Sequence, residues 1–280
     1  MKKCFTGVTI EDNEKLAYPR VCAHRGFSAV APESTMAAFG AAVAIGCEEM
    51  EMDLWQSADG VIVSSHDDSL ERVSNGTGEL KDHTYAQLLQ LDFGSKFSPE
   101  FEGTKIASFE EILQRYAGRI VLNLHLRHEN QGEAFLEGYI RNIVALIEKY
   151  GNEKYCYFMA SRIETLRLLQ DIAPGIERCA GEEPYRPCDY LLQKALETGC
   201  TKIQLFSPFF ERYDEELGQD CVLYMVRAAH EKGIVCNLCI ADSPQLSLKY
   251  LAAGVDTLLT NRAQVTRAVC DRYLAEKSNG

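Results

Sequence analysis

The chain lacks the features that announce several large protein classes. No stretch of its 280 residues approaches the ~18 consecutive apolar residues of a membrane span, so stable membrane insertion is not expected. It has no cluster of Lys and Arg. With 29 basic and 41 acidic residues the formal net charge is −12, which argues against a nucleic-acid binder, because phosphate backbones are held by grouped cations. No secretory leader is expected: Met1-Lys2-Lys3 opens the chain, but the charged stretch Glu11 to Lys15 precedes any long apolar region. Low-complexity tracts and long internal repeats are missing too. So is a Gly-x-Gly-x-x-Gly after the first strand, which weakens an open dinucleotide-binding sheet. Tryptophan occurs once, at Trp55.

Cysteine, by contrast, is plentiful. Eleven cysteines, an odd number scattered through a chain long enough to bury a core unaided, suggest a reduced, cytoplasmic protein. Cys236 and Cys239 have a Cys-x-x-Cys spacing, but they fall in what reads as a strand. Residues three apart on a strand face opposite ways, so the pair is expected to serve packing rather than a shared metal.

Eight β-rich runs alternate with helical patterns: Arg20 to His24, Glu48 to Leu54, Arg119 to Arg127, Tyr155 to Ala160, Gly175 to Ala180, Thr201 to Phe206, Ile234 to Ile240 and Val255 to Leu259. Amphipathic stretches between them include Ser34 to Ile45, Glu133 to Tyr150, Ile163 to Ile172 and Asp214 to Lys232. Gly46, Gly151, Gly199, Gly233 and Gly254 stand where helices hand over to strands. This alternation predicts an α/β fold, a (β/α)8 TIM barrel formed as one domain over 1–280. The polar, turn-rich segment 67–107 is too long for a bare loop and is expected to be a small subdomain inserted after the second strand and its extension Val61 to Ser65.

Residues able to do chemistry collect at the C-terminal ends of the first strands, where barrels build their sites. His24 and Arg25 close the first strand. Glu51 and Asp53, two apart, project from one face of the second. Two carboxylates on an interior face cannot both stay ionised and dry without a cation, and they suit a hard divalent metal. His66 and Asp67 follow the extension, and His125 and Arg127 share a face of the third strand.

The motifs His24-Arg25-Gly26, Pro32-Glu33-Ser34-Thr35, Ala38-Phe39, Glu51-Met52-Asp53, Asp59-Gly60 and His66-Asp67 resemble the signature of the glycerophosphodiester phosphodiesterase family. The resemblance runs on through Leu70, Arg72, Asn75-Gly76-Thr77-Gly78 and Ile106-Ala107-Ser108-Phe109-Glu110-Glu111. It is looser in Ala253-Gly254-Val255-Asp256 and Thr260-Asn261-Arg262. It implies a (β/α)8 barrel with an insertion after the second strand, acting on a small-molecule phosphodiester. It assigns general acid–base roles to His24 and His66, metal ligation to Glu51 and Asp53, and phosphate contact to Arg25. Glu33 matches an acid near the site, with a helix-starting role as the alternative. The implied cofactor is one divalent ion, Mg or Ca. The attacking group is water or a neighbouring glycerol hydroxyl.

The third strand departs from the pattern. Where the family has Asn-x-Glu-x-Lys, this chain has Asn123-Leu124-His125-Leu126-Arg127. Either His125 replaces the third carboxylate as a ligand and moves preference toward Mn or Zn, or the metal site is weakened and the protein binds a diester without efficient turnover. Arg127 keeps the lysine's charge and offers a planar fork for phosphate. On the seventh strand Leu238-Cys239-Ile240-Ala241 replaces Trp-Thr-Val-Asn, and Trp55 is the candidate to line the mouth in its place. The expected activity is hydrolysis of a glycerophosphodiester to glycerol 3-phosphate and an alcohol. The alternatives are a lysophospholipid or sugar phosphodiester as substrate, or a non-catalytic binder.

Overall fold

A computed structural model describes residues 17–183, 189–218 and 220–278. Nine strands are present among them: β1 Arg20–Ala23, β2 Glu49–Gln56, β3 Ile62–Ser64, β4 Val121–Leu126, β5 Cys156–Ala160, β6 Glu177–Gly181, β7 Lys202–Phe206, β8 Val235–Cys239 and β9 Thr257–Thr260. All but β3 run parallel in the order β1-β9-β8-β7-β6-β5-β4-β2, and a β1–β2 pairing closes the ring. This is the expected eight-stranded barrel. Strand β3 pairs antiparallel with the end of β2, Leu54 opposite Ser64, and so extends one wall beyond the rim.

Alternation along β2 explains both sides of that wall. Met50, Met52 and Leu54 point outward and join the large apolar core shared with the helices, each contributing roughly 1.5–3 kcal/mol by leaving water. Glu49, Glu51 and Asp53 therefore point inward, and all three are buried. The parallel register sets Glu51 beside Asn123 and Asp53 beside His125 of β4. Cys236 likewise faces the outer core, whereas Cys239 faces the interior with Cys22 and Leu259. The two thiols lie on opposite faces, as the spacing predicts.

The handover glycines all adopt left-handed backbone, with φ between 62° at Gly151 and 91° at Gly254. One expected helix is corrected. The stretch Asp214 to Lys232 is two helices, Ser207–Leu217 and Cys221–His230. The first ends at Gly218 with φ 64°, and Asp220 caps the second by accepting from the Leu223 amide at 2.9 Å. A continuous amphipathic pattern had hidden this break.

Residues 67–107 follow β3 and carry little regular structure: two single turns and the helix Tyr85–Leu88, which opens with a reciprocal Thr84–Gln87 capping box. Val63, Leu70, Leu80, Leu88, Phe93 and Ile106 form an apolar cluster here, separate from the main core. No described helix is long and apolar enough to cross a membrane.

Candidate active site

The first element of the site is a strained turn. Arg25 has φ 56° and Gly26 φ 76°. A side chain at Gly26 would meet the Ala38 backbone carbon at 2.7 Å, so only glycine lets the turn pack on the helix Met36–Ala44. That geometry aims the Arg25 amide at Glu51 Oε2, 3.0 Å away. It also brings the Arg25 guanidinium to Glu33 at 3.0 Å. Glu33 does not start the helix: Thr35 caps it, accepting from the Ala38 amide. Glu33 instead holds two arginines, because Arg72 from the segment after β3 donates to both its oxygens at 2.9 and 2.7 Å.

Glu51, Asp53 and His125 form the centre. One ligand atom from each lies within 4.8 Å of the others. His125 Nδ1 is 2.9 Å from Asp53 Oδ1 and 4.0 Å from Glu51 Oε1. The shorter approach lacks hydrogen-bond alignment, and both Asp53 oxygens are buried with no donor. Arg25 and Arg127 stay 3.8 and 3.7 Å from that carboxylate. Burial, and then the Asp53 charge beside it, push the Glu51 carboxyl well above the usual range. Burial would raise Asp53 as well, but His125 and Arg127 overcome it and hold that carboxyl low. Two buried acids that cannot both ionise comfortably, with orphaned oxygens converging on an imidazole, are what a divalent cation would resolve.

The two remaining histidines flank this group in different settings. His24 is buried, with Nδ1 at 2.8 Å from Asn261 Oδ1. Asn261 is itself oriented: its amide donates to Asp242 Oδ2 at 2.7 Å, and its backbone amide donates to Asp242 Oδ1 at 2.8 Å. An amide oxygen facing Nδ1 requires the proton there, leaving the Nε2 lone pair free, 3.9 Å from Glu51. Burial, then Arg25, push the imidazolium down to about 4, so His24 is neutral at pH 7. His66 is half-buried, with Nδ1 2.6 Å from Asp67 Oδ1, and Asp67 is held in turn by Arg72. Burial lowers the His66 imidazolium, while Asp53 and Asp67 pull it the other way.

Arg127 lies just past β4, with its guanidinium 5.9 Å from the Trp55 ring centre. Trp55, His125 and Arg127 line one wall of an open cavity of about 850 Å³, with Arg162 and Tyr190 farther out. All nine predicted site residues thus gather at one end of the barrel. Sequence reasoning assigned no role to Asn261, Asp242, Asp67 or Arg72, which orient the two histidines and Glu33. Asn261 stood in the Thr260-Asn261-Arg262 motif, but nothing local marked it as the partner of a residue 237 positions away.

A second group, His230, Cys236 and Asp256, also clusters closely. There Asp256 Oδ2 already accepts from His230 Nε2 at 2.8 Å and from the Cys236 amide at 2.7 Å. Burial raises the Cys236 thiol. It has no orphaned oxygen to offer.

Residues 24–265 match the model of the glycerophosphoryl diester phosphodiesterase family. A glycerophosphodiester phosphodiesterase of Caldanaerobacter subterraneus is 26% identical over 247 residues, covering 86% of this chain and 93% of that protein. YhdW of Bacillus subtilis is 42% identical over 112 residues; the matched stretch is 40% of this chain and spans about half that relative's length, 46%. Among solved structures, a phosphodiesterase of Oleispira antarctica in complex with the product sn-glycerol-3-phosphate superposes with TM-score 0.79 at 24% identity, covering 91% of this chain and 97% of that one. A glycerophosphodiester phosphodiesterase from Agrobacterium tumefaciens gives 0.72 at 22%, covering 89% and 99%. At these identities the structural likeness establishes the fold.

Proposed function

Because this chain belongs to the glycerophosphoryl diester phosphodiesterase family, we propose that it hydrolyses a glycerophosphodiester to glycerol 3-phosphate and an alcohol by two-histidine acid–base catalysis beside a divalent metal. One observation carries the reading: the donorless Asp53 oxygens converge with Glu51 and His125, with His24 on one flank and His66 on the other.

Glu51, Asp53 and His125 would hold the ion. When bound, it supplies positive charge to the non-bridging phosphate oxygens as negative charge grows in the transition state. Two carboxylates with one imidazole form a borderline donor set, suited to Mn or Zn as well as Mg. Arg25 and Arg127 add fixed positive charge around the same point. His24, neutral with Nε2 unprotonated, takes the proton of the attacking hydroxyl or water. His66, paired through Nδ1 with the Asp67 carboxylate, acts as the acid in its imidazolium form, passing the Nε2 proton to the leaving alkoxide and keeping the Nδ1 proton on Asp67. Asn261 and Asp67 each hold Nδ1, so that Nε2 of both histidines is the nitrogen turned to the reaction. Residues 67–107 act as a cap on the mouth, tied there by Arg72.

The test is glycerol 3-phosphate release from glycerophosphocholine and glycerophosphoethanolamine by metal-stripped protein, with Mg, Ca, Mn, Co and Zn added separately. Turnover that needs one metal and disappears in His24→Ala and His66→Ala is the expected result. Silence with all five metals, in folded protein, sinks the assignment.

A further inference from the structure

His128 has no part in the chemistry above, yet its surroundings are unusually specific. It is 2% exposed. Its Nε2 accepts from the Gln56 backbone amide at 2.9 Å, so the ring is neutral with its proton on Nδ1. Three aromatic rings meet it edge-on or nearly so: Trp55 at 4.8 Å and 83°, Phe135 at 5.0 Å and 67°, and Tyr139 at 5.0 Å and 80°. Tyr139 is itself pinned, donating its hydroxyl to the Leu54 carbonyl at 2.6 Å. The imidazole is thus bonded to one end of β2 and boxed by three rings, of which Trp55 belongs to that strand and Tyr139 is bonded to it.

The consequence passes through Trp55. Its ring carries the Arg127 guanidinium at 5.9 Å, within reach of a cation–π attraction. Its Nε1 donates to the His66 carbonyl at 3.4 Å. One indole therefore touches a phosphate-binding arginine and the backbone of a catalytic histidine, and His128 is the group against which that indole rests. A leucine or phenylalanine would fill the same volume. Only a ring with an acceptor nitrogen also ties the platform to the Gln56 amide, one residue beyond Trp55.

We propose that His128 is a positioning residue: it fixes the Trp55 indole, and Trp55 holds Arg127 and the His66 backbone at the spacing a phosphodiester needs. This rests on the phosphate-binding role given to Arg127 above. Because His66 is also held by Asp67, the main effect passes through Arg127 and falls on binding.

Trp55 is the chain's one tryptophan, so its fluorescence reports this device directly. In His128→Ala, Trp55 emission moves to the red, acrylamide quenching rises, and KM for glycerophosphocholine increases about fivefold while kcat changes by about twofold or less. His128→Phe keeps a ring and leaves the Gln56 amide unpaired, so both readouts lie between. Thermal melts establish that each variant is folded. Wild-type emission and quenching in folded His128→Ala overturn the proposal, as does an unchanged KM. If no diester is turned over by wild type, the phosphodiesterase reading fails on its own. Titration of Trp55 emission with glycerol 3-phosphate then decides the device: weaker binding in His128→Ala supports it, equal binding ends it.

Discussion

Strand β2 presents three acids to the barrel interior, Glu49, Glu51 and Asp53, and they have opposite fates. Glu49, nearest the floor, is fully matched. Arg20 donates to one oxygen at 3.1 Å and the Tyr157 hydroxyl to the other at 2.8 Å. Two and four residues later, at the mouth, Glu51 receives one backbone amide, and Asp53 has cations around it but no aligned hydrogen bond. The residue types, burial and strand face are shared; only the supply of partners differs. A buried carboxylate with its donors aligned is structure, and one without them is what the proposed metal would complete. On the proposed function, the floor stays closed and the mouth is where the ion would bind.

That contrast is broken most severely at Asp53. Asp53→Asn removes a central charge without changing shape. Glycerol 3-phosphate release is expected to fall by about 10³-fold or more, with some loss of melting temperature, because His125 and Arg127 hold the ionised carboxylate low in the folded state. A stability loss with activity retained would place Asp53 with the floor group instead. Next in size is His125→Glu, which makes the donor set all-oxygen. Activation curves should then favour Mg or Ca over Mn or Zn by about tenfold relative to wild type; an unmoved preference would remove His125 from the ligands.

Much of this was legible beforehand. The strand periodicity located all eight barrel strands, and the two-residue spacing placed Glu51 and Asp53 together. The same spacing applies equally to Glu49, and nothing in the run Glu49-Met50-Glu51-Met52-Asp53 says which acid is paired. The answer lies on other strands: Arg20 on β1 and Tyr157 on β5 bond Glu49, whereas the groups around Asp53 approach it without an aligned hydrogen bond. The orienting partners were hidden for the same reason, since Asn261 reaches His24 only when β9 pairs with β1, and Asp242 acts from behind Asn261. The break at Gly218 is marked only by a left-handed glycine and the Asp220 cap that follows it. Local pattern reveals elements and faces; who satisfies whom is a property of closure.

At the floor the expected effect is on stability. Glu49→Gln leaves the half-buried Arg20 beside a neutral amide, at a cost of about 3 kcal/mol or less, read as a shift of the denaturation midpoint. Activity per folded molecule should stay within about threefold. A large loss of kcat in stable Glu49→Gln would dissolve the distinction between the two ends.

The smallest effect concerns acid. Among the described residues, the histidines with lowered imidazolium values, His24, His66 and His128, all lie at the mouth. Burial pushes His128 down to about 4, against roughly 6.5 in an unfolded chain. Between those values the unfolded state binds the proton first. The stabilisation from burying His128 neutral is therefore whole above pH 6.5 and lost as pH falls toward 4. The total acid response will not show this alone. Glu51 and Glu182 are raised, Glu182 to about 8, and acids of that kind gain relative stability over part of the same window. Comparing wild type with His128→Phe in metal-free protein cancels them. The variant should be less stable at pH 7, where it lacks the bond to Gln56. That deficit should shrink by on the order of 2 kcal/mol by pH 4.5, because phenylalanine has no proton to refuse. A deficit constant across that range would mean that His128 titrates as an exposed histidine does, and that the mouth does not hold it as tightly as its ring contacts require.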